Sequence, residues 1–183
     1  MYENVTVIAG PTSVGKSTIV AEILATHPDI YYSVSATTRS IRPSEIDGKD
    51  YHFITDAEFD ELIAKDGFLE WAKVHELYRY GTLTAPLLDA LRAGKKAILQ
   101  IDLQGALQIR NKLPDATFIF IAPPTFGELR KRLDDRATES EAEKVLRLRT
   151  AEHELQAENE FDYIVVNDDL QQAVAEVVKI IYR

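Results

Sequence analysis

Cysteine is absent from the 183-residue chain, which excludes disulfides and thiolate metal centres and fits a reducing compartment. Histidine is scarce: the four residues, His27, His52, His75 and His153, are scattered without metal-ligand spacing. No apolar run approaches the roughly 18 residues that a membrane-spanning helix needs. The N-terminus, MYENVTVIAG, carries an acid where a secretory signal wants positive charge, and its apolar run is short. The expectation is a cytoplasmic protein with no membrane partner. An excess of positive charge is also missing. At a net charge of −9 the chain has no broad basic face for a phosphate backbone, which argues against nucleic acid. Any anionic ligand must be held by local clusters of Arg and Lys. Internal repeats, low-complexity tracts and Pro/Gly/Ser-rich linkers are lacking as well.

What is present suits one soluble domain: 45% hydrophobic and 28% charged residues, in a chain long enough to bury a full core. Short apolar runs alternate with amphipathic stretches, the rhythm of an α/β fold with a mostly parallel sheet flanked by helices. Candidate strands are Val5–Ala9, Tyr31–Val34, Ala97–Ile101, Thr117–Ile121 and Tyr163–Val166. Candidate helices are Lys16–Thr26, Ala57–Lys65, Pro86–Ala93, Gly105–Lys112, Phe126–Asp134, Glu141–Glu158 and Leu170–Ile181. Capping boxes are expected at Thr55/Glu58, Thr125/Glu128 and Thr138/Glu141, and Asn167 stands where the last helix wants an N-cap. From Ser35 to Thr82 the βα rhythm breaks. Aromatic-rich pieces there (YHFI, FLEWAKV, YRYGT) predict a small, partly antiparallel insertion.

Gly10-Pro11-Thr12-Ser13-Val14-Gly15-Lys16-Ser17-Thr18 contains G-x-x-x-x-G-K-[ST]. Glycines let the backbone wrap a phosphate with its N–H groups, and the helix that follows presents its N-terminus to the same anion. Lys16 supplies a point charge for the β- and γ-phosphates, and the Ser17 hydroxyl can ligate Mg²⁺. An apolar strand precedes the motif and a helical pattern follows it. The segment predicts a nucleoside triphosphate site, a P-loop.

A second cluster follows about twenty residues on, in SVSATTRSIRPSEIDGKDYHF. Arg39 and Arg42 offer two rigid forks matched to phosphate oxygens, and Tyr51 a phenol, enough to hold a monophosphate from several sides. Two Arg in a loop are, taken alone, usually a solvated surface.

These motifs, with GFLEWAKVH, YGT, ILQIDLQGA, FIFIAPP, RLDDRATES and IVVNDD, make nearly the whole chain resemble the guanylate kinases, which phosphorylate GMP with ATP. The resemblance implies a P-loop core (residues 1–34, 83–131 and 150–183), a GMP-binding subdomain (35–82) and a helical lid (132–149). It implies ATP and GMP as small-molecule partners and Mg²⁺ as cofactor. It places GMP phosphate contacts at Arg39, Arg42, Tyr51 and Tyr80, and guanine contacts at Ser35, Glu70, Thr82 and Asp102. ATP contacts would be residues 10–18 with Arg132, Arg136 and Asn167; Lys16, Arg42, Arg136 and Arg147 would be catalytic; Ser17 and Asp102 would face Mg²⁺, Asp102 through water. Guanine's N1–H and 2-amino group are adjacent donors that one carboxylate, Glu70, can accept together. Adenine lacks both, and a site built on such bonds can discriminate by ~10⁴.

The family pattern is broken at four places. Ser13 stands for a second P-loop glycine, and Ala137 for the glycine of a lid R-G-T. VHELYRYGT has one extra residue, so either Tyr78 or Tyr80 could be the phosphate ligand; Tyr80, next to Gly81, is preferred. Gln100 replaces a carboxylate two residues before Asp102, on the same face if both are on a strand. Blander roles stay open. Lid charges such as Glu143 and Arg147 can pair along a solvated helix, Asn167 can be both cap and adenine contact, and Gln100 can simply pack. Two rival functions are a P-loop kinase with another phosphorylated acceptor and a guanylate-kinase-like scaffold that transfers nothing. Intact Lys16 and Ser17 weigh against the scaffold.

Overall fold

The computed structural model describes residues 2–74, 77–134 and 141–183, and for residues 141–146 the backbone alone. The strands are β1 (Val5–Ala9), β2 (Tyr31–Ser33), β3 (Ala36–Thr37), β4 (His52–Phe53), β5 (Phe68–Val74), β6 (Tyr78–Leu83), β7 (Ala97–Gln100), β8 (Thr117–Ala122) and β9 (Tyr163–Val166). The helices are α1 (Lys16–Thr26), α2 (Asp56–Ala64), α3 (Thr84–Arg92), α4 (Leu103–Lys112), α5 (Phe126–Asp134), α6 (Glu141–Leu155) and α7 (Leu170–Ile181).

The larger sheet has the order β2-β7-β1-β8-β9, and every pairing in it is parallel. Its central strands are buried on both faces, so they read in sequence as unbroken apolar runs. Ile8, Ile98, Ile119 and Ile121 turn to the face covered by α1 and α7. Val5, Val7, Leu99 and Phe118 turn to the opposite face, with Leu87 and Leu91 of α3 and Ile109 of α4. At about 25 cal/mol per Å² of apolar surface removed from water, these two layers hold the fold together.

The insertion forms a second sheet, β4-β3-β6-β5. Its β5–β6 and β3–β6 pairs are antiparallel and β3–β4 is parallel. A small core of Ala36, Phe59 and Phe68 joins this sheet to α2. The Thr55/Glu58 capping box forms as predicted, and the Thr125 hydroxyl accepts from the Glu128 amide at 3.1 Å. Thr138/Glu141 lies outside the described residues.

Several boundaries shift by one to three residues from the sequence reading, and those that bear on the site have a physical reason. α3 begins at Thr84, before Pro86, because proline is tolerated in a first turn whose N–H groups have no helical partner. β7 stops at Gln100, and α4 starts at Leu103 because the Asp102 carboxylate accepts from the Gly105 amide at 2.7 Å. Asp102 is therefore a helix cap, not a strand residue on the face of Gln100. The final helix is capped by Asp169, which accepts from Gln172 at 2.9 Å, and Asn167 is occupied elsewhere. Among the described residues no helix is long and apolar enough to cross a membrane.

Candidate active site

The candidate site lies where the chain leaves the C-terminal ends of β1, β7, β8 and β9, the edge at which open parallel sheets bind ligands. Gly10 sits at φ +141°, and a Cβ there would lie 2.3 Å from the Ile121 carbonyl oxygen. Only glycine lets the loop start so close to β8. Gly15 has φ +101°, and its Cβ would meet the Asn167 amide nitrogen at 2.3 Å. That nitrogen donates to the Val14 carbonyl at 2.8 Å, and Asn167 is buried. So the end of β9 clamps the loop, which is why Asn167 cannot serve α7 as its cap.

Lys16 Nζ donates to the Gly10 carbonyl and, at 2.8 Å, to the Pro11 carbonyl, which keeps its ammonium over the loop. Arg132 braces the same region. Its Nη2 donates to the Asn167 carbonyl at 3.1 Å, and its Nε pairs with Glu128 at 3.4 Å. A cavity of about 360 Å³ opens beside the loop, lined by Ser13, Gly15, Thr18, Arg132, Asn167, Asp168 and Leu170. Of these, Asp168 and Leu170 were not anticipated from sequence. Ser13 carries a cost that sequence left invisible. It is at φ +62°, the left-handed region that favours glycine, and its buried hydroxyl has no hydrogen-bond partner.

Ser17 and Gln100 meet here, since Gln100 Nε2 donates to Ser17 Oγ at 2.9 Å. A carboxylate that sequence reasoning missed joins them. Glu154, on α6, accepts from the Thr12 amide, and burial pushes its pKa up to about 7, opposed by the Lys16 charge and reinforced by Asp102. Its Oε2 is buried with no hydrogen-bond partner. On paper Glu154 was one acid among many on a charged helix; only the packing of α6 against the loop singles it out. Among the described residues no group of three His, Cys, Asp or Glu could hold a metal alone. A hydroxyl, an amide and two nearby acids fit a divalent ion that is carried mainly by phosphate oxygens.

The second cluster is assembled by the small sheet. Tyr51 and Tyr80 stand edge to face, with ring centroids 5.7 Å apart, and the Arg39 guanidinium lies 5.5 Å from the Tyr51 ring centre. Arg39 Nε donates to the Tyr80 hydroxyl at 3.3 Å, whereas Tyr78 is exposed. Sequence reasoning gave the Arg39 fork to a phosphate. In the structure that fork grips Glu45, with Nη1–Oε2 3.0 Å and Nη2–Oε1 2.7 Å, and Glu45 also accepts from the Arg42 amide at 2.8 Å. The pair holds the Glu45 pKa below the usual carboxylate range. Arg42 is exposed at the rim. Ser35, half-buried before β3, accepts at its carbonyl from the His52 amide at 2.9 Å.

Glu70 and Thr82 face each other across β5 and β6. Glu70 is 5% exposed, and its Oε1 accepts from the Thr82 hydroxyl at 2.6 Å and the Thr82 amide at 3.1 Å. Burial pushes its pKa up to about 7; the Thr82 hydroxyl opposes that rise, and the Asp102 charge adds to it. Glu70, Thr82 and Asp102 thus come together, and Gln100, two residues before Asp102, carries the contact to Ser17. Of the lid residues, Arg147 is half-buried on α6, one turn before the fully buried Ala151. Arg136 and Ala137 lie outside the described residues.

Comparison with known proteins agrees with this geometry. The guanylate kinase family model matches residues 2–183. The guanylate kinase of Leifsonia xyli is 52% identical over 96% of this chain and 69% of its own length. That of Cutibacterium acnes is 49% identical over 97% and 89%. The crystal structure of guanylate kinase from Anaplasma phagocytophilum superposes with a TM-score of 0.79 at 30% identity, covering 97% of this chain and 83% of the other. A P-loop clamped by the end of β9, a buried carboxylate carried on a separate small sheet and a match that runs the length of the chain lead to one conclusion: this protein belongs to the guanylate kinase family.

Proposed function

We propose that the protein transfers the γ-phosphoryl group of ATP to GMP or dGMP, giving ADP and GDP or dGDP. The observation that carries this reading is the buried Glu70 carboxylate, which Thr82 holds by one oxygen, in the same molecule as an intact P-loop. The second oxygen, with Ser35 and Asp102 nearby, suits the N1–H and 2-amino edge of guanine. Residues 35–82 would act as the acceptor module and residues 132–149 as the lid.

Phosphoryl transfer leaves the protein little covalent work, so alignment and charge stabilisation dominate. A GMP phosphate oxygen attacks the γ-phosphorus in line, and the bond to the β,γ-bridging oxygen breaks toward ADP. The acceptor phosphate is mostly dianionic above pH ~6, so no general base is required. The loop amides and Lys16 hold the donor, while Arg42, Tyr51 and Tyr80 orient the acceptor. Arg39 supplies a positive charge fixed by Glu45. Arg147, together with Arg136, stabilises the charge that develops on the transferring oxygens. Ser17, with Gln100, Asp102 and Glu154 around it, would accommodate Mg²⁺, whose chemical contribution is to neutralise charge on the β- and γ-oxygens. Both substrates belong to the cytoplasmic nucleotide pool, and the reading places the protein there.

The deciding experiment measures ADP release over a panel of monophosphates. GMP and dGMP are expected to be turned over, with AMP, CMP and UMP at least ~100-fold poorer in kcat/KM. Comparable values for AMP and GMP would overturn the reading. Absence of ADP release with every acceptor, despite ATP binding, would favour a scaffold.

A further inference from the structure

Gly105 is out of place by local preference. It lies in the first turn of α4, where alanine is the better helix former, and its backbone is not in the left-handed region. The reason for glycine is what a side chain would strike. A Cβ at this position would stand 2.7 Å from Glu70 Oε2 and 3.1 Å from Glu70 Cδ.

The Glu70 carboxylate has nowhere to retreat. Its Oε1 is tied to the Thr82 amide and hydroxyl. The strand on either side is tied to the same helix: Lys112 Nζ donates to the Leu69 carbonyl, and Gln108 Nε2 donates to the Trp71 carbonyl at 3.1 Å. Residues 105, 108 and 112 share one face of α4. Two of them grip β5 around Glu70, and the third is a notch that admits its carboxylate.

We propose that Gly105 is a specificity-determining positioning residue, whose missing side chain sets the place of the Glu70 oxygen that reads guanine. Gly105 touches no substrate and acts through Glu70. The inference rests on the guanine reading proposed above. A methyl group at 105 must push Oε2 from 2.7 Å to at least 3.4 Å, the onset of ordinary contact. A displacement approaching 1 Å in a reading group costs up to ~10² in efficiency.

The test compares the full-length wild type with Gly105→Ala, Glu70→Asp and the double variant, under steady-state conditions with ATP and either GMP or AMP. Gly105→Ala is expected to raise the KM for GMP by about tenfold or more and to lower GMP-over-AMP selectivity by a similar factor. The KM for ATP should stay within about twofold, because the atoms nearest a side chain at 105 belong to Glu70 and Asp102 rather than to the P-loop. Shortening the carboxylate restores room, so the double variant should have a lower KM for GMP than Gly105→Ala alone. An unchanged KM for GMP in Gly105→Ala would overturn the proposal. So would a parallel rise in both KM values, or a double variant no better than Gly105→Ala. A carbon-13 carboxyl titration of Glu70, which involves no nucleotide, separates this inference from the function it rests on. Wild type that fails to prefer GMP defeats the functional reading; a Glu70 midpoint that does not move in Gly105→Ala defeats the positioning role.

Discussion

Lowering the pH from about 8 to about 6 is expected to weaken GMP binding by roughly tenfold through Glu70 alone. The carboxyl is 5% exposed, and burial raises its pKa to about 7. Guanine presents two donors to it, and only the ionised form accepts both. GMP affinity through this contact therefore follows the ionised fraction, about nine-tenths at pH 8, half at pH 7 and one-tenth at pH 6. The GMP phosphate has its own second ionisation near pH 6, so Glu70→Gln is the necessary reference. The variant keeps the phosphate's titration and loses the carboxylate's, and the ratio of the two profiles isolates Glu70. Binding at pH 7 should also release about half a proton from this group, measurable by calorimetry in buffers of different ionisation enthalpy. Folding responds with the opposite preference. A carboxyl raised in the folded state contributes stability below its unfolded value of about 4.5, and that contribution is lost as the pH rises through about 7. Acid should thus tighten this corner of the fold while it loosens the ligand. A wild-type-to-variant ratio that stays flat from about pH 5.5 to 8.5 would refute the assignment of Glu70 to the base.

Two other changes test the P-loop edge. Ser13→Gly removes a side chain held at φ +62°, where glycine is favoured by about 1 kcal/mol; thermal melting should rise by about 2–4 °C, and an unchanged or lower midpoint would mean that the loop carries no such strain. Gln100→Glu puts a charge beside Ser17 in place of an amide that donates to its hydroxyl at 2.9 Å. The Mg²⁺ concentration for half-maximal rate at fixed ATP and GMP should fall, and identical titration curves would place Gln100 outside the metal's surroundings.

Legibility in the sequence followed the physics of each part. β1 and β8 were readable because strands buried on both faces are continuous apolar runs, β9 because its edge-strand sequence is apolar although Ile164 and Val166 are exposed, and Gly10 and Gly15 because a phosphate loop needs their backbone freedom. Glu58 was readable as the partner of Thr55 because a capping box is local. What stayed hidden depended on distant packing. Asn167 and Asp169 are both good caps two residues apart, and only the approach of Gly15 to Asn167 decides between them. Asp102 follows the candidate strand Ala97–Ile101 on paper and would share a face with Gln100 if the strand ran on, yet in three dimensions the strand stops at Gln100 and Asp102 caps α4. Arg39 and Glu45 lie six residues apart in a loop whose path sequence does not give. Glu154 and Gly105 had no local signature at all, since the meaning of each comes from the P-loop and from Glu70 respectively.

The clamp of Asn167 on Val14 joins residues 153 positions apart, and it has a temporal side. The loop is synthesised well before the strand end that closes it, by the 153 positions that separate the two contact points. At ~5–20 residues per second, that separation takes ~8–30 s, and throughout the interval the glycine loop has the right sequence and an unfinished wall. β1 itself waits, flanked in the finished sheet by β7 and β8. In a growing chain, therefore, the loop gains its wall and the large sheet gains its edge strand β9 in the same event.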